Sequence, residues 1–170
     1  MPVATEDEAM ETLVTPQMVT SKGVWGPETV SYPVSLSDIR KWAIAVYWPE
    51  TPSRLFWDEE YARTTRWGGV VAPEDFNPFG WPIRTTPAPF AGGLPGRAPQ
   101  KGENVLNGGQ VDTFFTRIRP GDVITERTRL ADWEERTGRL GLTLFLRHEA
   151  EWHNQVRELV KRRLATSIWY

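Results

Sequence analysis

The last third of the chain contains four segments in which apolar and polar residues alternate, and this pattern constrains the fold more than any other feature. The segments span residues 105–118, 123–133, 142–153 and 158–168. Alternation with a period of two places every second side chain on one face, as in a half-buried β-strand. Turns are predicted between the segments at 119–122, 134–139 and 154–155. The pattern therefore predicts four long antiparallel strands in succession.

In the first half of the chain the sequence pattern predicts short helices instead. Ser35 begins the clearest one, because a Ser followed three residues later by an acid, here Asp38, is typical of a helix N-terminus. The apolar residues that follow at helical spacing are Ile39, Trp42, Ala43 and Val46, and Pro49 and Pro52 end the helix. Further helices are predicted at about 5–14, 58–65 and 73–80, and a first strand at 28–34.

Residues 78–104 differ in character from both halves. Six Pro and five Gly fall among the 25 residues from Pro78 to Gly102, without periodicity. Long loops inside compact domains are usually functional lids or disordered segments. Because Ile83, Phe90 and Leu94 make this one apolar, we expect it to pack against the domain as a flap.

The order of these elements predicts an α+β domain with a single sheet. A sheet with one polar and one apolar face needs a cover for the apolar face, and the helix at 73–80, with the apolar residues that precede it, is the expected cover. A curved antiparallel sheet wrapped around a central helix is the hot-dog arrangement. We expect one such domain over residues 28–170, preceded by an N-terminal extension, 1–27.

Composition excludes several kinds of site. The chain has no Cys and two His, which excludes disulfides, thiolate chemistry and His-rich metal centres. A net charge of −2 favours no nucleic-acid partner, and no apolar run or signal-peptide pattern indicates a membrane or export, so we expect a cytoplasmic protein. The one basic cluster, Lys161, Arg162 and Arg163, is interpreted as a solvated strand face. Nine Trp suit a wide apolar pocket or an oligomer interface as well as a core.

Four motifs in order carry a family resemblance. Residues 55–76 read LFWDEEYARTTRWGGVVAPEDF, and they are followed by Asn-Gly-Gly-Gln at 107–110, Arg-Pro-Gly-Asp at 119–122 and EAEWHNQ at 149–155. Together they resemble the MaoC-like family of (R)-specific enoyl-CoA hydratases and 3-hydroxyacyl dehydratases, and most of all its FAS1-like N-terminal dehydratase subgroup. The resemblance implies a hot-dog fold, an acyl-CoA or acyl-carrier thioester substrate, no cofactor, and an active site at a subunit interface.

The residues that do the family's chemistry are not found at their positions. Catalytic members place an Asp and a His, five residues apart, around the substrate's C3, and a backbone amide at the start of the central helix holds the thioester oxygen. The resemblance puts Phe56 at the His position and Thr51 at the Asp position. The helix start, Ala-His-Gly in those members, reads Ala72, Pro73 and Glu74 here.

Other residues are therefore considered as replacements. The candidate catalytic carboxylates are Glu50, beside the Asp position, and Glu74 and Asp75, at the start of the predicted central helix, where the helix dipole alone would favour an acid. His148 lies on the apolar face of its strand and His153 on the charged face, and both are more simply structural. The candidate substrate-binding residues are Trp57, Gly69, Phe76, Phe79, Trp81, Arg84, Phe90, Arg97, Gly108 and Gly109, of which the aromatics suit a ring-bearing or long-chain acyl group and the arginines the phosphates of coenzyme A.

Three functions remain open from the sequence. The first is a silent subunit that supplies the acyl-binding half of an enoyl-thioester hydratase to a catalytic MaoC-like partner. The second is a self-sufficient hydratase or thioesterase that uses Glu50, Glu74 or Asp75. The third is a binding module for an acyl thioester or another apolar ligand. A homodimer or a heterodimer is expected in each case, because a monomer would expose an edge strand.

Overall fold

A five-stranded antiparallel sheet forms the centre of the computed structural model, which describes residues 12–80, 104–139 and 141–170. The strand order is β1-β3-β4-β5-β2. The strands are β1 (Thr29–Val30), β2 (Val105–Phe114), β3 (Thr125–Gly138), β4 (Gly141–His153) and β5 (Leu159–Trp169). The four long strands and the α+β class are confirmed. The turn predicted at 134–139 was wrong, because β3 stays paired with β4 as far as Gly138 opposite Gly141, and the first strand is shorter than predicted.

Short helices precede the four long strands: α1 (Pro16–Ser21), α2 (Leu36–Tyr47), a 3-10 turn (Arg54–Phe56) and α3 (Glu59–Thr64). The Ser35 hydroxyl accepts the Asp38 amide, and the Asp58 carboxylate accepts the Tyr61 amide, each at 3.0 Å. These caps satisfy amides that have no partner within the helix, and they place α2 and α3 close to the predicted bounds. Within residues 12–14 the helix predicted at 5–14 is not found. No helix in the described part of the chain is long and apolar enough to cross a membrane.

The helix predicted at 73–80 was wrong. Residues 74–75 and 78–79 form turns instead, and no helix is assigned between 65 and 80. Pro78 has no amide to donate and disfavours the helical region for Asn77. The Asn77 side chain also captures the Phe79 amide at 3.0 Å, which offers the backbone an alternative to helix. The rest of the predicted loop, 81–103, lies outside the described residues.

The segment from Val70 to Phe76 nevertheless covers the sheet, as expected of the central element. Val71, Ala72 and Phe76 are each at most 1% exposed, and the Ala72 amide donates to the Ile118 carbonyl at 2.8 Å. α2 packs on this segment from outside through the edge-to-face contact of Trp42 with Phe76, whose ring centroids are 5.6 Å apart. One core therefore joins α2, this non-helical segment and the sheet.

A second, smaller core lies toward the other end of β3 and β4. Leu13 and Met18, from the N-terminal segment, pack with Leu130, Leu144 and Leu146. The Leu13 amide also donates to the Glu135 carboxylate at 2.5 Å. The residues just before and within α1 are thus a structural cover for this part of the sheet.

Candidate functional site

The position that the family resemblance assigns to a catalytic His belongs to the hydrophobic core here. Phe56, at the end of the 3-10 turn, is 7% exposed and stacks on Tyr47 at a centroid distance of 5.8 Å. Thr51 and the neighbouring Glu50 are exposed, in the loop after α2. A phenyl ring transfers no proton, so Phe56 cannot act as the acid or base of a hydration.

A cleft opens beside the segment that carries the candidate carboxylates. It is a shallow cleft, with a cavity volume of about 20 Å³, between residues 72–74 and one end of the sheet. The lining residues are Ala72, Pro73, Glu74, Phe114, Thr116, Arg117, Ile118, Trp152, Val160 and Lys161. Most of this wall is apolar, and such a wall with a few polar groups is typical of a small-molecule site.

Glu74 is the one of the three candidate carboxylates that lines the cleft. Its Oε1 atom lies 3.2 Å from Nη1 of Arg117, and the Arg117 guanidinium lies over the Trp67 ring at 5.4 Å. The Glu74 side chain is 54% exposed, so it stands at the mouth of the cleft rather than inside. Asp75 is exposed beside it, and Glu50 lies in another loop.

The three candidate aromatic residues that the structure describes are not gathered in one pocket. Phe76 is fully buried in the core, and Phe79 packs edge-to-face on Trp152 at 5.4 Å. Trp57 is 36% exposed and donates from Nε1 to the Pro52 carbonyl at 3.1 Å. Phe79 contacts the cleft through Trp152, and Phe76 contacts it through its amide, which donates to the Pro73 carbonyl at 3.1 Å. The remaining candidates of the flap, Trp81, Arg84, Phe90 and Arg97, lie outside the described residues.

The three candidate glycines lie away from the cleft. Gly69 lines a separate hollow with Leu36, Glu59 and Arg63 among others. Gly108 and Gly109 form a bulge in β2, where the register with β5 shifts between Asn107 and Gln110. A Cβ on Gly108 would lie 2.9 Å from Cγ2 of Thr166, and Gly109 has a φ of +95°. Both are explained by this bulge, because only Gly fits such contacts and such a φ without strain.

The ion pair of Lys161 with Asp112 was not predicted from the sequence. Lys161 is 3% exposed, although a solvated face was expected for residues 161–163; of the three, Arg162 alone is exposed. The interpretation was wrong because Asp112, on the neighbouring strand β2, holds the other two. Arg163 donates to both Asp112 oxygens at 2.7 Å, and Nζ of Lys161 lies 3.3 Å from Oδ2. Asp112 is an acid that could pair with this basic cluster, but the sequence does not predict its register against β5.

Aromatic rings and a second carboxylate complete the surroundings of Lys161. Its Nζ atom lies 4.2 Å from the Trp152 ring centroid and 5.6 Å from that of Phe114. Cross-strand register places Glu126, Trp152, Lys161 and Phe114 in one row across β3, β4, β5 and β2. Burial lowers the pKa of Lys161, and burial raises the pKa of Glu126. The hydrogen bonds from Arg163 lower the pKa of Asp112.

Neither histidine lines the cleft. His148 lies on β4 opposite Leu130 and Ala165, and Nε2 has no hydrogen-bond partner within the described ranges. Burial lowers its pKa from 6.5 to about 4, which is the behaviour of a neutral structural imidazole. His153 lines a polar hollow with Glu28, Arg127 and Arg157.

Comparison with known proteins agrees with this architecture. The model of the FAS1-like dehydratase domain region matches residues 20–163. A MaoC-like dehydratase from Rhodospirillum rubrum is structurally similar, with a TM-score of 0.58 and 20% identity, over 85% of this chain and 91% of that one. None of the curated proteins compared with the chain matches it.

Two of the similar structures are described as complexes. A chain of the ChsH1-ChsH2 complex from Mycobacterium tuberculosis has a TM-score of 0.65 and 18% identity, over 91% of this chain and 89% of that one. A chain of the HadBC (3R-hydroxyacyl-ACP dehydratase) complex from the same organism has a TM-score of 0.53 and 16% identity, over 83% and 95%. The match over most of the sequence establishes that this chain belongs to the family of the FAS1-like dehydratase domain region, and the similar structures show that it shares the hot-dog fold of a MaoC-like dehydratase.

Proposed function

We propose that this chain is the acyl-binding subunit of a MaoC-like enoyl-thioester hydratase or 3-hydroxyacyl-thioester dehydratase, and that a second MaoC-like chain supplies the catalytic Asp and His. The observation that carries the proposal is Phe56, which is 7% exposed and packed on Tyr47. With a phenyl ring of the core at the His position, this chain has the architecture of the family but lacks the proton donor of its catalytic members.

No other imidazole of the chain can take this role. Hydration requires one group to activate water and one to deliver a proton to C2, with pKa values near the working pH. The pKa of His148 is about 4, and His148 does not line the cleft. His153 lies in a separate polar hollow with Glu28, Arg127 and Arg157, away from the cleft. These are the two histidines of the chain, so a dyad of the family's kind has to come from elsewhere.

Strand β2 supports a pairing with a second chain. It is the edge of the described sheet, ten residues long, and Asp112 is its one residue that is not exposed. Val111 is 66% exposed and Leu106 47%. Such an edge presents unpaired amides and carbonyls together with apolar side chains, and proteins normally cover or pair it. A β2 strand from a partner hot-dog chain would do both.

The described complexes among the structural relatives are consistent with this arrangement. ChsH1-ChsH2 and HadBC are each named by two components, and HadBC is described as a dehydratase. At identities of 18% and 16%, these similarities show a shared fold. The pairing is our inference from β2 and Phe56.

Activity should appear only in the complex. The purified chain is expected to leave trans-2-octenoyl-CoA unchanged, and co-purification with a His-containing MaoC-like chain from a neighbouring gene should raise the hydration rate by roughly 10²-fold or more, the contribution of general acid–base catalysis. The measurement is the loss of the enoyl thioester absorbance. The control complex carries a His→Gln change in the partner, which should return the rate to background. Turnover by this chain alone would overturn the proposal.

Glu74 supports one alternative, a self-sufficient hydratase or thioesterase. It is the candidate carboxylate that lines the cleft, and Arg117 holds it in place at 3.2 Å. If it acts as the base, Glu74→Gln should reduce any turnover by the isolated chain by roughly 10²-fold, whereas Glu50→Gln, in an exposed loop, should not. Equal rates for wild type and Glu74→Gln would remove Glu74 from the mechanism. Binding of acyl-CoA without turnover in any pairing would leave a binding module.

A further inference from the structure

We propose that the cleft beside residues 72–74 binds the acyl end of a thioester, with the carbonyl oxygen accepting a hydrogen bond from the ammonium group of Lys161. This inference rests on the proposed function, because it names the group of this chain that would hold the substrate. It assigns to Lys161 a contact with the substrate at a site whose usual Asp and His are absent from the chain.

The position of Lys161 is the first observation. It lines the cleft together with Ala72, Pro73 and Glu74, yet its side chain is only 4% exposed. Burying an ammonium costs free energy unless partners compensate it. A lysine kept at such a depth, at the wall of a cleft, is therefore a group whose hydrogen bonds need an acceptor there.

The hydrogen-bonding capacity of Lys161 is the second observation. Asp112 accepts two bonds from Arg163 at 2.7 Å, which match the planar guanidinium, and lies at the longer distance of 3.3 Å from Nζ of Lys161. An ammonium has three donors. Within the described residues Asp112 is its one oxygen partner within 4 Å. Its other neighbours are the faces of Trp152 and Phe114, and Glu126 lies in the same cross-strand row beyond Trp152. At least one N–H is thus free for an acceptor in the cleft.

The charge and the walls of the cleft select the ligand. Asp112 lies beside the ammonium of Lys161, and Glu74 pairs with Arg117 at the mouth, so each cation of the cleft already has a carboxylate partner and a phosphate would add two uncompensated negative charges. A carbonyl oxygen carries only partial charge and needs one donor. The remaining walls, including Ala72, Ile118 and Val160, suit a short hydrocarbon segment next to that oxygen.

The same contact would assist the reaction. Charge develops on the thioester oxygen when C2 gains or loses its proton, and a fixed cation in a cleft with little water stabilises that charge more than water does. Lys161 would act by holding and polarising the carbonyl, while the partner's groups move the protons. This division keeps the acyl group in this chain and the proton transfer in the other.

A ligand pair that differs by one oxygen tests the contact. Calorimetric titration of the whole chain with butyryl-CoA and with S-butyl-CoA, the thioether without the carbonyl, gives two dissociation constants for each variant. Lys161→Met should weaken the binding of butyryl-CoA roughly 10-fold to 100-fold, the effect of a lost hydrogen bond to a charged group. It should leave the dissociation constant of S-butyl-CoA unchanged. Lys41→Met, on the exposed side of α2, is the matched control and should change neither constant.

Other outcomes overturn the inference. If Lys161→Met weakened the binding of both ligands equally, Lys161 would contact the coenzyme rather than the carbonyl. If it weakened the binding of neither, Lys161 would not be part of the site. A wild-type chain that binds neither ligand would have no such site. Lys161→Met should still fold, because Asp112 keeps both bonds from Arg163; thermal unfolding checks this. The hydratase assay separates the two proposals. If the complex is active and Lys161→Met keeps both dissociation constants, the Lys161 contact alone is refuted. If Lys161→Met loses affinity only for the ligand with the carbonyl and no complex is active, the proposed function alone is refuted.

Discussion

Phe76→Ala should lower the free energy of unfolding by about 3–5 kcal/mol, the usual range for an aromatic ring removed from a packed core. Phe76 is 1% exposed and lies between α2 and the sheet, with its ring edge-to-face on Trp42. Its removal would leave a cavity in the segment that replaces the central helix. Because that segment has few backbone hydrogen bonds of its own, side-chain packing is what keeps it in place.

Denaturant unfolding of the purified chain measures this effect. Phe76→Leu keeps most of the buried volume and should cost less than Phe76→Ala. Phe115→Ala removes the same ring at a position that is 47% exposed, and should cost less than about 1 kcal/mol. If Phe76→Ala proved no more costly than Phe115→Ala, the segment from 70 to 76 would not be part of the core.

Stability should fall as the pH is lowered from about 6.5 toward 4, and His148 should cause part of that fall. Burial lowers the pKa of His148 from 6.5 to about 4. Between these values the unfolded chain binds a proton that the folded chain does not, so acid favours unfolding there, with a slope of at most about 1.4 kcal/mol per pH unit for one proton. Below about pH 4 both states are protonated and this contribution stops changing. Because the side chain is only half-buried, we expect less than the full slope.

Comparison of variants isolates this histidine. His148→Leu should be less sensitive to pH over that range than wild type, whereas His153→Gln, which removes the other histidine, should keep the wild-type dependence. The raised pKa of Glu126 acts in the opposite direction, because its folded form keeps a proton that the unfolded form loses. Wild type, His148→Leu and His153→Gln all keep Glu126, so its contribution cancels when their stabilities are compared. Parallel curves for wild type and His148→Leu would contradict the prediction.

Local patterns predicted the elements whose causes are local. The strands followed from alternation, and α2 and α3 from Ser35 and Asp58, whose side chains cap the helices they precede. The prediction failed at 73–80, where apolar spacing suggested a helix. Pro78 and the side chain of Asn77 favour turns there, and burial of Val71 and Phe76 satisfies the same apolar pattern without a helix. Apolar spacing alone therefore did not distinguish a buried helix from a buried irregular segment.

The candidate site was predictable only in its outline. The family resemblance located the segment around Ala72 and Glu74, and both residues line the cleft. The glycines at 108 and 109 were assigned to substrate from a motif, although the bulge in β2 explains them. Lys161 was assigned to solvent together with Arg162 and Arg163, because the cluster lies in an alternating strand pattern and was interpreted as a solvated strand face.

By itself the sequence determined the class of fold, the family, and the absence of a His at position 56, since each depends on residue identity and short spacing. Only the tertiary structure decided that Lys161 is buried in the cleft. Its partner Asp112 lies on β2, and the two strands meet only when the sheet forms with Asp112 opposite Arg163. Whether a charge faces water or a cleft depends on that register between distant segments, and no local pattern around residues 161–163 encodes it.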